Sequence, residues 1–168
     1  MFDSETLDLS GRVLDVFRTR GLKLATAESC TGGLVAAALT EIPGSSDVVH
    51  CGFVTYSNDA KRDMLGVDAA TLARRGAVSS ATAGAMAEGA LARSGADAAV
   101  SITGIAGPNG GTAQKPVGLV HLAAAVRGQP TRHEEHRFGS LSRGEIRGRS
   151  TRAALELLLR AAQALPGP

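Results

Sequence analysis

The sequence predicts an α/β fold, a three-layer α/β/α sandwich with a mixed, mostly parallel sheet. Three observations carry that prediction. Short apolar segments alternate with helical ones along most of the chain, the pattern of parallel strands joined by helices that cover both faces of a sheet. Late in the chain, two strand-like segments are separated only by Arg127-Gly128-Gln129-Pro130, too short for a crossover, so at least one antiparallel neighbour joins the sheet. No repeat, low-complexity tract or linker interrupts the 168 residues, so one domain over 1–168 is expected, its first helix opening at about residue 5.

The elements follow in order. Leu7, Val13, Leu14 and Phe17 recur at helical spacing, and Gly21 stops that helix. Residues 22–27 are apolar and free of Gly and Pro, as a buried strand requires. A helix is expected over 34–42, closed by Pro43-Gly44, and then a β-branched and aromatic strand over 48–56. Ser57-Asn58-Asp59 offers caps for a short helix ended by Gly66, and Asp68 caps another piece stopped at Gly76. Ser79 or Ser80 opens an Ala-rich helix to about residue 94, followed by a strand over 98–103 and a Gly-rich loop over 104–116. Strands over 117–126 and 131–138 flank the short turn, and a last helix runs over 143–162 with Ile146, Leu155, Leu158 and Leu159 toward the core.

Composition narrows the function classes. Hydrophobic residues make up 43% and charged residues 20%, ordinary for a globular protein, while four Phe and one Tyr leave the core to aliphatic side chains. A net charge of +2 is too small to argue for nucleic acid or a membrane surface as partner. The stretch 127–152 is locally basic, suited either to an anionic ligand or to a solvated helix face. Cys30 and Cys51 have no CxxC or Cys/His spacing and imply neither a disulfide framework nor a zinc site. The acidic start MFDSETLDLSGR has no signal-peptide pattern, and no apolar run approaches the ~18 residues of a membrane span, so a cytoplasmic, reduced protein is expected.

In open α/β sheets, ligands bind beyond the carboxyl ends of strands. Two glycine-rich turns sit there. Glu28-Ser29-Cys30-Thr31-Gly32-Gly33 leads from strand to helix, where free N–H groups and the helix dipole can bind an anion or flank Ser29 as a nucleophile. The plainer reading is that Ser29 or Thr31 is an N-cap and the glycines serve packing. The second turn, residues 103–112, matches neither a P-loop nor the dinucleotide fingerprint, yet its glycines and Pro108 suit a stiff phosphate- or carboxylate-binding loop.

The chain has fifteen Arg but only three Lys, at 23, 61 and 115. A desolvated lysine can lose its proton and act as base, which an arginine cannot. Lys61 follows the 48–56 strand and could approach Ser29; its neighbour Arg62 is expected to depress its pKa, and a lysine-activated serine is an accepted variant of triad chemistry. The alternative is a solvent-facing lysine. His133-Glu134-Glu135-His136 lacks a metal spacing and reads as an exposed polar strand face, while His50 and His121 read as core histidines. Cys30 is a weaker nucleophile candidate, its pKa expected to fall at a helix N-terminus.

Taken together, the motifs resemble a known family. Ala27-Glu28-Ser29-Cys30-Thr31-Gly32-Gly33-Leu34 resembles the signature of the CinA C-terminal domain family, and further matches follow in order. They are Tyr56-Ser57-Asn58-x-x-Lys61, Leu65-Gly66-Val67, Gly76-Ala77-Val78-Ser79, Thr103-Gly104-Ile105-Ala106-Gly107-Pro108, Lys115-Pro116-Val117-Gly118 and the pair Arg143/Arg147. The resemblance spans roughly residues 7 to 162.

It implies hydrolysis of nicotinamide mononucleotide to nicotinic acid mononucleotide and ammonia, without metal or cofactor. Ser29 would attack the carboxamide, Lys61 and Tyr56 would handle protons, and Cys30, Thr31, Gly32 and Gly33 would bind the oxyanion or substrate. Thr103, Gly104, Gly107, Gly110 and Gly111, with Arg143 or Arg147, would engage the nucleotide. The resemblance also implies a homo-oligomer, dimer or higher, that binds neither nucleic acid nor membrane. Activity of the additional N-terminal domain found in many relatives is expected to be absent. The other class open at this point is a regulatory, competence/damage-inducible module that binds a nucleotide without turnover, since fold alone does not decide. A serine and a potential base together favour the enzyme.

Overall fold

Most helix starts are written locally in short polar side chains. Asp3 accepts from the amide of Thr6 (2.8 Å) to open α1 (Ser4–Thr19), and Ser57 accepts from Ala60 (3.0 Å) to open α3 (Asn58–Leu65). Asp68 caps α4 (Ala69–Arg75) and Ser79 caps α5 (Ser80–Ser94) in the same way. The computed structural model describes residues 2–163. The remaining elements are β1 (Leu24–Glu28), α2 (Leu34–Thr40), β2 (Val49–Val54), β3 (Ala98–Gly104), β4 (Leu119–Val126), β5 (Arg132–Arg137) and α6 (Arg143–Gln163).

The strands form one mixed sheet in the order β2-β1-β3-β4-β5. β1 lies parallel between β2 and β3, whereas β3, β4 and β5 run antiparallel in turn, as the short 127–130 connection requires. Helices α1, α2 and α6 cover one face, packing Leu14, Phe17, Leu39, Ile146, Leu155 and Leu158 on Leu24, Val100, Ile102 and Leu122. On the other face the Ala-rich α5 sits on Ala25, Ala27, Ala99, Ala123 and Ala125, with Met86 filling the space beside α3 and α4. The result is the three-layer α/β/α sandwich. Among the described residues no helix is long and apolar enough to cross a membrane.

Some boundaries differ from expectation for physical reasons. β2 ends at Val54 because the carbonyls of Thr55 and Tyr56 turn to accept from Lys61. β4 begins at Leu119 because a turn closed by Leu119 N–H to Pro116 O precedes it. His50 is exposed, not a core histidine: β2 is an edge strand whose side chains alternate half-buried and exposed. His121, on a fully buried strand, is a core residue at 6% exposure.

Candidate active site

The parallel strands end together, and the chain turns from β1 into α2 at Ser29. Side chains alternate along β1. Ala25 and Ala27 face α5, while Thr26 and Glu28 face α2, so Ser29 returns to the α5 side. On that side α3 presents Lys61, whose Nζ lies 3.0 Å from Ser29 Oγ, 2.8 Å from Thr55 O and 3.3 Å from Tyr56 O. Lys61 is 1% exposed and Ser29 9%. Among the described residues no carboxylate pairs with Lys61. Burial, the dominant cause, lowers its pKa, and a small opposing effect comes from Cys30. Arg62, expected to produce this shift, does not: it pairs with Asp59 on the surface.

The valences around Nζ are informative. Two carbonyls claim two N–H bonds, so the third direction is the one facing Ser29. In the ammonium form that direction is a donor to the serine oxygen. In the neutral amine it is a lone pair that can accept the serine proton.

The N-terminus of α2 is not an open anion site. Glu28, fully buried, takes the amides of Gly33 (2.9 Å), Val35 (3.1 Å) and Ala36 (2.9 Å) with its two carboxylate oxygens, and Thr26 Oγ1 adds a contact at 3.3 Å. Gly32 N–H closes the turn onto Ser29 O (3.1 Å). The expected oxyanion role of Gly32 and Gly33 therefore does not fit their amides, which already have acceptors within the chain. The amide of Thr31 has no acceptor among the described residues, and that of Cys30 meets only its own thiol sulfur. Glu28 was missed as a functional residue because its partners lie five to eight positions away, across a turn whose path a local reading does not supply. Cys30 is buried, and burial pushes its thiol up to about 12, the reverse of the expected lowering, which disfavours the thiolate.

Other predicted residues surround this pair in different roles. Tyr56 is 63% exposed, and its phenol oxygen accepts from Arg143 Nη2 (3.0 Å); its side chain hydrogen-bonds to neither Ser29 nor Lys61. Arg143 also donates to Gly107 O (2.8 Å), tying the glycine-rich loop to Tyr56. Arg147 donates to Cys30 O (3.2 Å) and Thr31 O (2.9 Å), so α6 clamps the serine turn from behind. Thr103 spends its hydroxyl on Ala77 O (2.8 Å). Gly104 and Gly107 are required by close approach: an added Cβ would lie 2.7 Å from Val120 Cγ2 and from Val117 Cγ1 respectively. Gly110 and Gly111 are exposed on that loop. Thr31 Oγ1 and Thr55 Oγ1 are buried without a partner among the described residues, and both lie between Ser29 and Lys61 in sequence. The His133–His136 segment alternates along β5, with His133 Nε2 meeting His121 Nδ1 at 3.0 Å. No group of His, Cys, Asp or Glu among the described residues has a metal-holding arrangement.

Comparison with known proteins finds relatives in both sequence and fold. A CinA-like protein of Akkermansia muciniphila is 61% identical over 113 residues, covering 67% of this chain and 27% of the relative. A CinA-like protein of Mycolicibacterium vanbaalenii is 55% identical over 141 residues, covering 84% of this chain and 33% of the relative. The chain thus spans about a third of the length of such relatives. Among solved structures, the competence/damage inducible protein CihA of Agrobacterium tumefaciens superposes with a TM-score of 0.94 at 56% identity, covering 97% of this chain and 98% of that one. A CinA superfamily protein of Klebsiella pneumoniae gives 0.90 at 39% identity, with 95% and 99% covered. Residues 6–162 match the CinA C-terminal domain model, a span that runs from the first turn of α1 to the last turn of α6, and by that match the chain belongs to the CinA family.

Proposed function

We propose that this chain is an amidohydrolase that deamidates nicotinamide mononucleotide through a serine nucleophile activated by a buried lysine. The observation that carries the reading is the 3.0 Å contact between Lys61 Nζ and Ser29 Oγ, made in a desolvated pocket with no carboxylate to hold the lysine charged. A merely structural lysine gains by a counter-ion. A base gains by lacking one.

Neutral Lys61 accepts the Ser29 proton as Oγ attacks the carboxamide carbon, and the resulting oxyanion takes the amides of Cys30 and Thr31. The Lys61 ammonium returns the proton to the amide nitrogen, the C–N bond breaks, and ammonia leaves an ester on Ser29. Water then attacks that ester, giving its proton to Lys61. Collapse releases the carboxylic acid and restores Ser29 and the neutral amine, so one amide and one water become one acid and one ammonia. Tyr56 and Arg143 hold the rim by joining the end of β2 to the glycine-rich loop, and Arg147 positions the serine turn. The reading extends to a cytoplasmic homo-oligomer acting in nucleotide recycling.

Ammonia release from nicotinamide mononucleotide, measured for wild type and Lys61→Ala with and without EDTA, tests it. Chelator-resistant turnover that drops by about 10²–10⁴ in Lys61→Ala is expected for loss of a general base. Binding without any turnover would replace the enzyme by a nucleotide-binding module.

A further inference from the structure

On the same face of the sheet, the sequence motifs Gly76-Ala77-Val78-Ser79 and Lys115-Pro116-Val117-Gly118 meet around a groove of about 610 Å³ that the serine–lysine chemistry does not use. Its rim carries Arg74 and Arg75 from the end of α4, Lys115 from the long loop and Arg137 from β5. The carboxylate lining it, Glu135, is already paired with Arg137 at 2.7 Å. Arg74, Arg75 and Lys115 have no carboxylate partner among the described residues. Lys115 is held in place by donating to Arg75 O (2.7 Å), across Gly76, where an added Cβ would lie 3.1 Å from Nζ.

The floor adds donors. The first turn of the 15-residue α5 carries no acidic side chain, and its cap Ser79 satisfies only Thr82 N–H, so the amides of Ser80 and Ala81, two residues that line the groove, keep no acceptor among the described residues at the positive end of the helix. His121, 6% exposed, also lines it: Nδ1 meets His133, while Nε2 makes no hydrogen bond and has its nearest carboxylate oxygen, on Glu135, at 3.9 Å.

Sheet register relates the groove to Ser29. Glu28 pairs with Ile102, so Ser29 comes level with Thr103; Thr103 pairs with His121, and His121 with Glu135. These residues share the α5 side, and two strand intervals separate Ser29 from His121, about 10 Å.

We propose that this groove, and not the glycine-rich loop or the Arg143/Arg147 pair, holds the phosphate of the substrate whose amide reaches Ser29, with Arg74, Arg75, Lys115 and the first amides of α5 as its ligands. Unpaired guanidinium groups and a helix N-terminus are the chemistry of phosphate recognition. The interval of about 10 Å from Ser29 to His121, a residue lining the groove, is of the length that an amide-bearing ring and a ribose span. The assignment rests on the deamidase reading for its amide end but not for its phosphate end.

Two measurements separate the two. First, calorimetric titration of ribose 5-phosphate into wild type and Arg74→Ala/Arg75→Ala is expected to show binding weakened at least ten-fold in the double variant. Second, kcat/KM for nicotinamide mononucleotide over that for nicotinamide riboside is expected to fall at least ten-fold in the same variant, with Lys115→Ala moving the ratio in the same direction. If no protein turns over either amide, the deamidase reading fails, yet the titration still decides the groove. Equal phosphate binding by wild type and double variant, no phosphate binding by either, or an unchanged preference for the mononucleotide would each overturn the assignment.

Discussion

Burial sets the acid–base behaviour of Lys61 before any substrate arrives. At 1% exposure the ammonium form is desolvated and unpaired, so the pKa lies below the usual ~10.4 of lysine. The base must be neutral to act, so kcat/KM rises with pH through the Lys61 pKa and levels off above it, with the midpoint below the ordinary lysine range. A pH–rate profile from neutral to pH 10 checks this, and a rate that falls over that interval would exclude lysine as the base. Lys61→Arg keeps the charge but cannot lose its proton. It is expected to reduce ammonia release as far as Lys61→Ala does. Much of this was legible in the sequence, since a lone lysine after a strand in an arginine-rich chain singled out residue 61. The cause of its pKa shift was not: Arg62 is adjacent in sequence, yet i and i+1 point apart on a helix and only packing decides which side chain is buried.

The turn from β1 into α2 depends on a cap that reaches across the turn. Glu28 satisfies three amides at once, so Glu28→Ala strands buried donors and is expected to cost about 1–3 kcal/mol, read as a lowered urea midpoint. Helix packing has a similar single-residue dependence at Gly89 in α5. A Cβ there would sit 2.0 Å from Leu65 O, so Gly89→Ala must push α3 away and is expected to destabilise by about 1–3 kcal/mol by the same measurement. Because α3 carries Lys61, that variant is also expected to lose activity beyond its loss of stability. The caps Ser57, Asp68 and Ser79 were legible because each bonds an amide three residues on. Glu28 and Gly89 were not, because their contacts lie across a turn or between helices that only the assembled fold brings together.

The assembled sheet places the serine, its lysine and the basic groove at one end, although these residues come from positions 29, 61, 74–81, 115 and 121 of the chain. The family motifs marked most of those segments, but their convergence follows from strand order β2-β1-β3-β4-β5, which alternation alone does not specify. The last helix closes the circle, with Arg147 of α6 holding the carbonyls of Cys30 and Thr31. Arg147→Ala is expected to lower kcat more than it raises KM, and Arg147→Lys to recover part of the loss; a pure KM effect would make Arg147 a substrate ligand instead. The proposed chemistry depends most on Ser29 as nucleophile, and ammonia release from nicotinamide mononucleotide by folded Ser29→Ala tests that most directly. A drop of at least about 10³-fold with an unchanged circular dichroism spectrum is the predicted result. Full deamidase activity in Ser29→Ala would contradict it.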